Sequence, residues 1–98
     1  MKTTKMLREM LNSGDPFLTA GANDALSAVI AERAGFKAVT MGGYLATAVT
    51  MARPDIGLMT MTEMVTQLRH ICAVTNIPVI GDADNGHGNV LNVIRTIQ

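Results

Sequence analysis

The stretch Pro78-Val79-Ile80-Gly81-Asp82-Ala83-Asp84-Asn85-Gly86-His87-Gly88-Asn89 constrains this chain more than any other part of it. Val79 and Ile80 form a short apolar run that fits a buried strand. Pro78 stands at its start, where a missing N–H is tolerated. Asp82 and Asp84 follow at i, i+2, a spacing that puts both side chains on one face of extended backbone. Gly86 and Gly88 then let the chain turn, and Asn89 can cap a helix beginning at Val90. Two acids therefore converge at the carboxyl end of a buried strand, beside a glycine turn and a helix start. Open α/β sheets and (β/α) barrels place their sites at such positions. Neighbouring carboxylates repel unless a cation or proton lies between them. The economical reading is a hard divalent ion, Mg²⁺ with Mn²⁺ as an alternative, held by one or both acids plus waters.

A plainer reading stands beside it. Asp at a strand-to-turn junction often just closes an Asx-turn. The pattern Asp-x-Asp also occurs in haloacid-dehalogenase-like phosphatases and in glycosyltransferases. The dehalogenase motif continues with Gly-Thr or Thr-Val on the first strand, whereas Asn85-Gly86 follow here on the third expected strand.

A length of 98 residues suits one small domain, and a hydrophobic content of 48% makes it globular. Formal net charge is zero, with one Tyr, two Phe and no Trp, so there is neither a basic patch nor a stacking platform for nucleic acid. No apolar run reaches the length of a membrane span, and no signal-type stretch follows Met1-Lys2-Thr3-Thr4-Lys5, so the expected location is the cytoplasm. The one cysteine, Cys72, excludes an intrachain disulfide and is expected to be a buried small hydrophobe.

In chain order, Met6, Leu7, Met10 and Leu11 mark a helix over Thr3 to Asn12, ended by Ser13-Gly14 and Asp15-Pro16. Phe17 to Ala20 reads as a strand. Asn23 or Asp24 caps a helix over Ala25 to Ala34, with Leu26, Val29, Ile30 and Ala34 inward. Phe36 to Met41 is a second strand running into Gly42-Gly43, where backbone N–H groups can approach an anion. Tyr44 to Met51 has no assigned state. Ala52 to Gly57 is a loop carrying Arg53 and Asp55. Thr60-Met61-Thr62-Glu63 is a capping box. Its helix is expected to bury Met61, Met64, Val65, Leu68, Ile71 and Cys72, with His70 outside the stripe. After the third strand, Val90 to Gln98 opens a helix with Val90, Val93, Ile94 and Ile97 inward.

Strands alternating with helices imply parallel pairing through right-handed crossovers. Three such units are less than half of a (β/α)₈ barrel, which needs about 250 residues. The expectation is therefore an α/β chain forming the first three βα units of an incomplete (β/α)₈ TIM barrel. Residues 1–98 would be an N-terminal fragment of one domain, or the product of a truncated gene.

Five blocks occur in order: Ala22-Asn23-Asp24-Ala25-Leu26-Ser27-Ala28, Glu32-Arg33-Ala34-Gly35-Phe36, Met41-Gly42-Gly43, Pro54-Asp55-Ile56-Gly57 and Asp82 to Asn89. Together they resemble the start of the isocitrate lyase/phosphoenolpyruvate mutase superfamily. The smaller members are the most similar: methylisocitrate lyase, 2,3-dimethylmalate lyase, carboxyvinyl-carboxyphosphonate phosphorylmutase and oxaloacetate decarboxylase. The resemblance covers nearly all of residues 6–98. It implies a Mg²⁺-dependent (β/α)₈ barrel acting on a small 2-oxo or 2-hydroxy di- or tricarboxylate, and a homo-oligomer at full length. It implies that Asp82 and Asp84 hold the metal, directly or through water. Met41, Gly42, Gly43 and Tyr44 would bind the substrate carboxylate, and Asp55 would lie near the reacting group. A metal chelated by a 2-oxo acid would stabilise the enolate left when a C–C or C–P bond breaks.

The chain departs from the family pattern in places. Gly42 stands where the lyases often have Ser, Asn85 replaces the commoner Thr, and His87 takes a position usual for Tyr or Phe. The gate loop Lys-Lys-Cys-Gly-His and a further acid on the next strand would lie beyond Gln98, and Cys72 is not the gate-loop cysteine. A lyase or decarboxylase is the first reading. Phosphonate C–P chemistry is the second, and a non-catalytic remnant is the third.

Overall fold

A computed structural model describes residues 2–98. The elements, in order, are α1 (Thr3–Asn12), β1 (Ala20–Gly21), α2 (Ala25–Arg33), β2 (Val39–Met41), α3 (Gly43–Met51), α4 (Met61–Val74), β3 (Val79–Gly81) and α5 (Val90–Ile97). The three strands form one parallel sheet in the order β1-β2-β3. The architecture is mixed α/β with a parallel sheet. Among the described residues no helix is long and apolar enough to cross a membrane.

The expected strands are present but shorter. Phe17 to Thr19 and Phe36 to Ala38 fall outside the ladder, because a strand exists only where a neighbour pairs with it. Ala20 pairs with Val39, and Val39 with Val79, so the three units are aligned across the sheet.

Capping fixes three helix starts as the sequence implies. The Asp24 carboxylate accepts from the Ser27 N–H at 2.7 Å. Thr60 and Glu63 exchange reciprocal bonds, with Glu63 accepting from the Thr60 N–H at 2.8 Å. Asn89 Oδ1 accepts from the N–H groups of Leu91 and Asn92. Each cap is worth about 1 kcal/mol. The stretch without an assigned state, Tyr44 to Met51, is the body of α3. Its N-cap residue, Gly42, has no side chain to cap the helix with.

The core lies between the sheet and the α2/α4 layer. It comprises Ala22, Ala28, Ala31, Val39, Met41, Ala46, Met59, Met64 and Ile71. Three of the expected inward faces differ. In α2 the buried residues are Ala28 and Ala31, while Leu26 and Ile30 are exposed. Small alanines on the buried face of α2 let its neighbours approach closely, which longer side chains would prevent. In α4 Met64 and Ile71 are buried and Met61 and Leu68 partly so, but Val65 and Cys72 are exposed. In α5 none of Val90, Val93, Ile94 or Ile97 is buried. That helix is anchored instead by Thr96, whose hydroxyl donates to Gly86 O at 2.8 Å.

Candidate metal and carboxylate site

Asp82 follows the last residue of β3. Its N–H donates to Met41 O at 3.0 Å and so continues the β2–β3 ladder by one step. Its carboxylate is held twice. Oδ2 accepts from the Gly43 N–H at 3.0 Å, and Oδ1 accepts from the Asp84 N–H at 2.8 Å. The second bond is an Asx-turn, so the plainer reading of this acid describes part of its role. The first is a tertiary contact between the end of β3 and the start of α3.

Asp84 has φ +49, a left-handed conformation that Asp tolerates better than most residues. Asp55 comes from the loop after α3. That helix ends on Ala52 in the left-handed region (φ +52), which turns the chain into the loop. A Cβ on Gly43 would lie 3.0 Å from Asp82 Oδ2 and 3.1 Å from Asp55 Oδ1. The glycine thus makes room for two carboxylates around one point. A Cβ on Gly57 would lie 3.6 Å from Asp84 Oδ2. Asp55, Asp82 and Asp84 line one small cavity of about 20 Å³, together with Gly43, Thr47 and His87. That is the room of about one water or one small ion.

Among the described residues no cationic side chain lines this cavity. Among the described residues the ion pair present is Lys5 with Glu9, on the surface of α1. Three carboxylates without a counter-charge repel one another, and a cation relieves this. Among the described residues no three of His, Cys, Asp or Glu close into an all-protein ligand set. This donor chemistry fits Mg²⁺, which usually takes one or two carboxylates and keeps several waters, and does not fit an ion needing a full cage.

Of the expected carboxylate-binding residues, Met41 turns its side chain into the core and offers only backbone to the site. Gly42 and Gly43 form the start of α3, and Tyr44 is exposed on its first turn. The Gly43 N–H is already bonded to Asp82. The N–H groups of Tyr44 and Leu45 lack a side-chain cap, which leaves the positive end of the helix dipole open to an anion. No motif or spacing marks Thr47. It lies within Tyr44 to Met51, a stretch without a clear local pattern, and only the formation of α3 brings it to the cavity wall.

The family model for phosphoenolpyruvate phosphomutase matches residues 7–98. The chain belongs to this family. It is 44% identical to 2,3-dimethylmalate lyase of Eubacterium barkeri over 98 residues, covering 100% of this chain and 34% of that protein. It is 46% identical to oxaloacetate decarboxylase of Pseudomonas putida (strain GB-1) over 90 residues, covering 92% of this chain and 31% of that protein. A phosphonopyruvate hydrolase solved in complex with oxalate and Mg²⁺ superposes with a TM-score of 0.89 at 35% identity, over 95% of this chain and 32% of that one. These relatives are enzymes, and the chain spans about a third of their length.

Proposed function

We propose that the chain forms the metal-bearing part of a Mg²⁺-dependent carbon–carbon lyase or decarboxylase. Its substrate would be a small 2-hydroxy or 2-oxo di- or tricarboxylate cleaved through a pyruvate-type enolate. The observation that carries this reading is the meeting of Asp55, Asp82 and Asp84 around an uncompensated cavity at the carboxyl ends of β2 and β3. Asp82 and Asp84 would hold the metal, which when bound supplies a Lewis acid for the substrate's carboxylate and α-oxygen. The open N–H groups at the start of α3 would receive a substrate carboxylate, with Met41 to Tyr44 forming the cradle. Asp55, on the loop across the site, would face the reacting group.

The three βα units are in this reading part of one (β/α)₈ barrel domain. The sequential strand order supports it, because right-handed crossovers between neighbours put successive helices on one face. The pairing of α2 with α4 on a shared core is consistent with that. Thr40 and Ile80 then belong to the other face, where the Thr40 hydroxyl meets the Thr19 hydroxyl at 3.0 Å. A phosphonate C–P reaction through the same enolate is the second reading, favoured by the likeness to phosphonopyruvate hydrolase.

The test is a chimaera in which this chain replaces the matching third of the Eubacterium barkeri enzyme, assayed for pyruvate release with and without EDTA. Asp82→Asn and Asp84→Asn should each lower metal affinity about tenfold or more, with matching loss of activity. Normal activity of both variants at limiting Mg²⁺ would reduce the pair to a turn cap. The 98-residue chain alone should bind Mg²⁺ weakly and turn nothing over, since an ion on one or two carboxylates keeps most of its waters. Turnover by that chain, abolished by Asp82→Asn, would show instead that an oligomer completes the site.

A further inference from the structure

The imidazole of His87 carries a second story. Its Nδ1 is shielded from solvent and has no hydrogen-bond partner among the described residues. Native structures satisfy nearly all such atoms, by protein or by ordered water. The backbone is also held in an unfavourable place to put the ring there. His87 has φ +63, between Gly86 at +89 and Gly88 at +147. Non-glycine residues occupy this region at a cost in strain, and such strain persists where the surroundings enforce it. The His87 N–H donates to Asn85 Oδ1 at 3.0 Å, which fixes the turn. The fixed turn brings His87 to the wall of the cavity of about 20 Å³ that Asp55, Asp82 and Asp84 also line. This volume admits one water, and a water needs two to four polar partners, which this wall supplies.

The chemistry of the wall selects one arrangement. Ionised carboxylates only accept hydrogen bonds. A water among them therefore donates one hydrogen to a carboxylate and has a second to give. A neutral imidazole with its proton on Nε2 offers Nδ1 as the acceptor for it. The water's lone pairs are then left facing the adjoining groove of about 570 Å³ that Asp84 and His87 also line, which has room for a hard cation beside the water. We propose that His87 is a positioning residue whose Nδ1 accepts from a single water bridged to the Asp82/Asp84 carboxylates, and that this water belongs to the hydration shell of the divalent ion when one is bound. The water site stands on the buried nitrogen alone. Its sharing with a metal rests on the function proposed above. A metal-bound water can only donate, so one tautomer serves both states.

The test begins without metal. Nitrogen-15 NMR of the protein resolves its two histidines, with exposed His70 as the internal control. The expected result for His87 is the Nε2–H tautomer, with Nδ1 shifted as a hydrogen-bonded acceptor and a water contact to the ring. An Nδ1–H tautomer, or an unbonded Nδ1, overturns the proposal. Mn²⁺ titration followed by electron paramagnetic resonance then compares His87→Phe with His87→Asn. Phenylalanine keeps a ring but no acceptor. Asparagine tolerates the left-handed backbone and carries Oδ1 on Cγ where the imidazole carries Nδ1. Affinity should fall about tenfold or more with Phe and recover with Asn. Loss of Mn²⁺ binding in Asp82→Asn but not in His87→Phe would overturn the His87 role and leave the metal reading intact. No Mn²⁺ binding by the unaltered protein would overturn the metal-sharing half, while the tautomer still decides the water site.

Discussion

Gly43→Ala separates the stability of this fold from the integrity of its site. Gly43 is the first residue of α3 and has no positive φ, so alanine meets no backbone penalty there. Helix propensity favours alanine by at most about 1 kcal/mol, and by less at a helix end. Against this stands the new Cβ, at 3.0 Å from Asp82 Oδ2 and 3.1 Å from Asp55 Oδ1. Both carboxylates must retreat by a few tenths of an ångström. Asp82 is not free to do so, since the Gly43 and Asp84 N–H groups hold its two oxygens at 3.0 and 2.8 Å. Stretching the Gly43 bond sacrifices part of a charge-assisted interaction worth about 1.5–3 kcal/mol when fully made. Asp82 is exposed, so water recovers much of that. The net change in stability should stay within about 1 kcal/mol of zero. Metal affinity should fall about tenfold, which corresponds to about 1.4 kcal/mol, because the two carboxylates no longer share one point. The chain has no Trp, so urea unfolding is best followed by far-ultraviolet circular dichroism, with Mn²⁺ calorimetry on the folded protein. Unchanged Mn²⁺ affinity together with a stability loss above about 2 kcal/mol would refute the reasoning. Gly43 would then be a glycine of the fold and not of the site.

Ala52→Gly should stabilise the protein by up to about 1 kcal/mol, since Ala52 ends α3 at φ +52, where glycine carries no Cβ penalty; a lower midpoint in the same urea experiment would contradict the left-handed cap. Asp24→Ala should cost about 1 kcal/mol at neutral pH through loss of the α2 cap. The Asp24 pKa is lowered from 3.8, first by the backbone hydrogen bond from Ser27, then by the Ser27 hydroxyl, with burial opposing. A depressed carboxyl pKa contributes stability above the unfolded value, and that stability is lost as pH falls through the folded value. The gap between Asp24→Ala and the unaltered protein should therefore close on acidification from pH 4 downward; a gap independent of pH would assign the loss to packing.

What could be read from the residues follows the range of each interaction. The caps at Asp24, Thr60 and Asn89 act within three residues, so their side chains announce them. The start of α3 is announced by nothing, because its cap position is Gly42 and its body mixes Thr and Val with Ala. The apolar stripes of α2 and α5 are visible, but which face is covered depends on what packs against them. Ala28 and Ala31 take the α2 contact that Leu26 and Ile30 appear from spacing to own. The acids were legible as a pair, Asp82 and Asp84, whereas the approach of Asp55 and the Gly43 N–H joins segments far apart in the chain. No local pattern encodes that meeting.

What does encode it is the register of the sheet. Met41 pairs with Gly81, and a Cβ at Gly81 would lie 2.7 Å from Leu68 Cδ1. Residue 81 therefore faces α4, and a side chain there would push the end of the Leu68 side chain aside. Side chains alternate along a strand, so the face of residue 81 decides the face of residue 82. Asp82 consequently points away from the α4 layer, toward the start of α3, where the Gly43 N–H meets it. A slip of one residue would drive the Asp82 carboxylate against Leu68 and bring Ala83 to Gly43, burying a charge without a partner. The penalty for that misplacement protects the site as much as the core. The register at Gly81 thus sets the face of the sheet from which Asp82 leaves the strand.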